Sequence, residues 1–154
     1  MRRYAGEHRT LSGSQKYASQ NFFDYHLEFA RSADSGILGG QQLQNIAQLE
    51  SEHPNLRECL ALCNHKQNRQ QLAPLEPKLG MSMVGSLGMF WFLASHWKEG
   101  RNWAVHFLES NHNERPSQSK AAALLTAGGL SVLLDDYEVA VSYTHLTLPT
   151  ICSV

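Results

Sequence analysis

The chain has 154 residues, 42% of them hydrophobic and 18% charged, with a net charge of −1. That length suffices for one domain with a real core and is too short for two sizeable ones. So small a charge supplies no field for nucleic acid or an anionic membrane, and no apolar run approaches the roughly 20 residues that span a bilayer.

The amino-terminal MRRYAGEHRT has no apolar segment behind its arginines, which predicts a cytoplasmic location. Tyr4 to Leu11 forms a short helix closed by Ser12-Gly13, and Ser14 caps a long amphipathic helix whose stripe is Tyr17, Phe22, Tyr25, Phe29 and Ala33. Asp34-Ser35-Gly36 stops it. Gln41 to Glu52 is a second helix with Leu43, Ile46, Ala47 and Leu49 on one face. His53-Pro54 restarts the chain, because proline suits a first helical turn; Leu56, Leu60, Ala61 and Cys63 then line a third helix. Cys59 and Cys63, four apart on one face, read as buried free thiols, since no second pair completes a zinc site.

Asn64 to Lys78 is polar, Gln-rich and broken by Pro74 and Pro77, as in a loop or a frayed helix end. Leu87, Phe90, Trp91 and Ala94 share a helix within the apolar stretch 81–94. A tight connection at His96-Trp97-Lys98 leads to its partner, with Trp97, Arg101, Ala104, Val105 and Leu108. SNHNERPSQS is another turn, Lys120 to Leu134 another helix, and Asp135-Asp136 ends it before Tyr137 opens the next. The segments LGMFWFLASHWKEG and AGGLSVLLDDYEVA align at an offset of 40 residues, Gly88 with Gly128, Phe90 with Leu130, Leu93 with Leu133 and Trp97 with Tyr137. In such a unit the glycines let helices approach and the aromatic at the start of the second helix sets their angle. Each hairpin leaves an apolar face for the next to cover. The fold class expected is all-α, with stacked antiparallel helix hairpins.

The succession YHLEFARSAD, NIAQLESEHPNLRECLAL, MFWFLASHWKEGRNWAVHFLES and AAALLTAGGLSVLLDDYEVA resembles the tetratricopeptide-like helical-repeat region of bacterial multidomain signal-transduction ATPases, the LuxR-type and AfsR-type transcriptional regulators. One family element is matched by Leu49, Glu52, His53, Asn55, Leu56 and Arg57. A second is matched by Phe90, Trp91, His96, Glu99, Gly100, Arg101 and Trp103, and the repeat signature in part by Asp136 and Tyr137. Ser95 and Asp135 stand where glycine is usual, and Pro54 where an acidic residue is.

The resemblance implies a truncated solenoid. Residues 1–34 would follow a missing ATPase and winged-helix part, and 35–140 would be the repeats. It implies a non-catalytic role in protein–protein contact or effector sensing, a protein partner, no direct nucleic-acid binding and no cofactor. No Gly-x-x-x-x-Gly-Lys-Ser/Thr loop is present to cradle a nucleotide. The expected structural repeat positions are Gly88, Phe90, Trp97, Gly100, Gly128, Leu130 and Tyr137; Trp91 and Trp103 read first as core and, in a second reading, as protein-contact residues on a concave face.

Two alternatives compete. His106, Glu109 and His112 recur at three-residue spacing and suggest a small metal-dependent enzyme, although two histidines six apart on a helix point away from each other. A stand-alone helical adaptor is the other. The last segment, 141–154, has no charged residue, reads from Thr144 to Thr150 as a short strand, and resembles translated sequencing-adapter sequence, hence a non-native tail.

Overall fold

The computed structural model describes residues 2–64 and 73–151. Among the described residues six helices follow one another: α1 (Arg2–Gly36), α2 (Gln42–Cys63), α3 (Pro77–Leu93), α4 (Trp97–Ser110), α5 (Gln118–Leu133) and α6 (Tyr137–Ile151). No helix among the described residues is long and apolar enough to cross a membrane. Packing is local in the chain. α1 lies on α2 and α3, α2 on α3, α3 on α4 and α5, α4 on α5, and α5 on α6.

Two expected breaks are absent. α1 runs unbroken through Ser12-Gly13; a solvated glycine in a helix costs only about 1 kcal/mol, too little to stop it. The expected stripe on α1 is also rotated. Tyr17 and Tyr25 are exposed, while Phe23, Leu27, Ala30 and Ala33 are buried, because α2 and α3 cover the face one residue round from the aromatic one. His53-Pro54 does not restart the chain, and α2 carries Pro54 inside it. Proline forfeits one helical hydrogen bond there, but its ring is exposed and the flanking Leu49, His53 and Leu56 are buried on one face. Tertiary packing holds the helix across the defect. Of the expected loop, 65–72 lies outside the described residues, and Pro77 instead occupies the first turn of α3.

The strand expected over Thr144–Thr150 is overturned, because α6 is helical to Ile151. The Thr144 hydroxyl donates to the Ala140 carbonyl at 2.9 Å, so a β-branched residue fits the helix by bonding back one turn. Ala140 is buried, and both residues lie against Gly128, where an added Cβ would come within 3.0 Å of the Thr144 methyl.

The core is continuous from Phe23, Leu49, Leu56 and Leu60 through Val84, Leu87, Phe90 and Trp91 to Phe107, Leu124 and Leu130. Cys59 and Cys63 are buried free thiols within it. Burial pushes both up to about 12, with the neighbouring Cys63 and Glu58 adding to the shift at Cys59. Neither is a nucleophile at neutral pH. In a Cys152→Ser background, Ellman's reagent is expected to label the native protein only as fast as it opens. Rapid labelling of the folded chain would contradict this burial.

The turns after α3 and α5 are built alike. Ser95 and Asp135 take left-handed φ values of 62° and 58°. His96 N–H then bonds the Trp91 carbonyl and Asp136 N–H the Ser131 carbonyl, each at 3.0 Å. This is the Schellman closure, which normally uses glycine at the left-handed position. The two turns lie 40 residues apart. Since a side chain there strains the backbone, Ser95→Gly is expected to stabilise the fold by about 1 kcal/mol, read as a rise in denaturation midpoint.

Candidate functional site

Phe90 and Leu130 are buried, and Trp97 is half-buried, its indole N–H donating to the Phe92 carbonyl at 2.9 Å and so holding the end of α3. Gly88 and Gly128 both sit at close approaches, but to different neighbours. An added Cβ at Gly88 would meet Thr126 of α5 at 2.6 Å, whereas Gly128 faces α6. Gly100 admits the Trp91 ring and Leu130. Tyr137 opens α6, and its side chain lies outside the described residues.

Of the two readings of Trp91, the structure places it in the core. It is 0% exposed, the largest fully buried side chain of the core, because α3 turns it inward onto Gly100 of α4. Trp103 is half-buried, stacked on Phe107 at 5.8 Å between centroids and edge-on to His106 at 6.3 Å.

His106, Glu109 and His112 do not converge. His106 is packed edge-on against Phe107 at 5.1 Å, and exposed His112 donates from Nδ1 to the Glu109 backbone carbonyl at 3.1 Å. Among the described residues the group whose donor atoms do converge is Glu50, His53 and His96, with one atom from each within 4.8 Å of the others. It joins the two motif segments. α2 contributes Glu50 and the buried His53; the turn before α4 contributes His96.

Glu50 Oε1 lies 2.7 Å from His96 Nε2, and Glu50 Oε2 lies 3.8 Å from His53 Nδ1. The other nitrogen, His53 Nε2, is buried 3.2 Å from Glu99 Oε1 but lacks the alignment of a hydrogen bond. Glu99 in turn receives both arms of Arg57, Nε at 2.7 Å and a terminal nitrogen at 2.5 Å. Burial pushes His53 below its usual value and outweighs the pull of Glu99. Burial acts to raise Glu99, but the Arg57 hydrogen bonds and the charges of His53, Arg57 and His96 hold it below the carboxylate range. The arrangement is a neutral imidazole between two carboxylates, one of them clamped by a guanidinium.

A second feature lies on another face. α1, α3 and α5 enclose a groove of about 300 Å³ whose floor is Gly85, Gly88, Ala122 and Gly129. Phe92 and Leu125, 44% and 53% exposed, form its apolar end with Met89. A polar cavity that shares Asp34, Gly85 and Ala122 with it is lined by Arg31, Ser82 and Ser119, the two hydroxyls 3.0 Å apart. Burial raises the Asp34 carboxyl above its usual value. Sequence reasoning missed both features. The Glu-x-x-His of residues 50–53 was visible, but nothing in spacing joins it to His96, and the groove's small residues are scattered over two helices.

Compared with known protein-family models, curated proteins and solved structures, the chain has no match.

Proposed function

We propose that the chain is a non-catalytic helical-repeat scaffold of the tetratricopeptide type, acting as the arm of a regulatory ATPase or transcriptional regulator by holding a segment of a partner protein. The observation that supports this reading is the groove between α1, α3 and α5. Its floor of glycine and alanine lets a main chain approach closely, while exposed Phe92 and Leu125 offer apolar anchorage beside the polar cavity at Asp34 and Ser119. Such a groove suits an extended or helical peptide with an apolar side chain at one end and donors at the other. The like-built turns after α3 and α5 support the repeat reading, because two equivalent hairpins stacked in register leave their first helices side by side. In the intact regulator, occupation of the groove would alter how the arm packs on the ATPase part.

Panning a displayed random-peptide library on the chain tests this. Enriched peptides are expected to lose binding to Leu125→Arg, which places a charge in the groove at an exposed position and leaves the core alone. Peptides that bind the variant and the native chain equally would count against the groove.

A further inference from the structure

We propose that Glu50, His53 and His96 bind a divalent transition-metal ion of the zinc class, which ties α2 to the turn between α3 and α4. Three observations carry this. The donor set is two imidazoles and a carboxylate, a set that zinc accepts in protein sites, and its donor atoms already lie within 4.8 Å of one another. A tetrahedral ion with bonds of about 2.1 Å spaces its ligands about 3.4 Å apart. Glu50 Oε1 stands 2.7 Å from His96 and Oε2 3.8 Å from His53, on either side of that value, so the three side chains are spaced for one ion.

The support behind the ligands is also in place. A metal-bound histidine characteristically presents its other nitrogen to a carboxylate, which fixes the ring and raises its basicity. With Nδ1 of His53 on the ion, Nε2 faces Glu99 at 3.2 Å, and Glu99 is itself held by Arg57. This buried Nε2 is otherwise without a hydrogen bond, and a proton fixed on it by metallation at Nδ1, with a small turn of the ring toward Glu99, would complete one. A surface ion pair has no need of this relay. The site is independent of the groove and of the partner-binding reading.

The test is titration of the tag-free, chelator-treated chain with zinc chloride, followed by calorimetry and thermal melting, and with cobalt(II) followed by visible absorption. One equivalent is expected to bind, the melting temperature to rise, and cobalt to give the intense bands of a four-coordinate site. Glu50→Gln and His96→Gln, at positions that are not buried, are expected to abolish binding while the metal-free melting temperature changes little. Glu99→Gln should weaken it by about tenfold or more, as loss of an outer-shell carboxylate does. His106→Ala with His112→Ala should leave it unchanged. Absence of stoichiometric binding, equal affinity in His96→Gln, or loss of binding in the His106/His112 variant would each overturn the proposal.

Discussion

Trp91→Ala is expected to destabilise the protein by about 3–5 kcal/mol, the range for removing a fully buried large aromatic from a core. Trp91 is 0% exposed, on the face of α3 that meets α4. Alanine would leave a cavity bounded by rigid helix backbone, which relaxes little. Trp91→Phe should cost much less than the lost volume alone suggests. The indole Nε1 is buried with no hydrogen-bond partner, and phenylalanine removes that unsatisfied donor together with the second ring. Urea denaturation checks both variants. The midpoint should fall steeply for alanine and modestly for phenylalanine, with an unchanged slope. A small effect from Trp91→Ala would mean that the side chain reaches solvent after all.

Gly100→Ala is expected to cost about 1–3 kcal/mol, although alanine is the better helix former. An added Cβ would lie 2.6 Å from the Trp91 ring and 2.7 Å from a Leu130 methyl, so α4 must move off both. Gly129→Ala is the control. Nothing lies within 4 Å of a Cβ at that helical position, and the same exchange should stabilise by up to about 1 kcal/mol. Because the closest part of the clash is with Trp91, Gly100→Ala combined with Trp91→Leu should cost less than the sum of the single changes, by about 0.5–3 kcal/mol. Additivity within error would place the strain elsewhere.

The hairpins from α3 onward were legible in the sequence, since apolar periodicity, the Asp135-Asp136 stop and the polar SNHNERPSQS turn agree there. Even the unusual Ser95 and Asp135 were locatable as residues standing where glycine is expected, and both take the left-handed conformation. Legibility failed where packing overrides local signals. Gly13 and Pro54 are helix breakers by propensity, yet α1 and α2 run through them. The aromatic stripe on α1 was misread because Tyr17 and Tyr25 share a helical face that no other helix covers. The carboxy-terminal segment reads as a strand by composition, but contact with α5 at Gly128 and the back-bonding of Thr144 accommodate a helix. The histidine cluster depends on α2 meeting the α3–α4 turn, a tertiary fact that no local spacing encodes. His106, Glu109 and His112 had the more suggestive spacing and do not meet.

The central claim, that the groove between α1, α3 and α5 holds a partner protein, is tested most directly by photo-crosslinking in cells. A benzophenone amino acid at Leu125, in the groove, should yield discrete protein adducts. The same probe at Asn102, exposed on α4 and outside the groove, should yield none. Adducts that are identical at both positions, or absent at Leu125, would contradict the account.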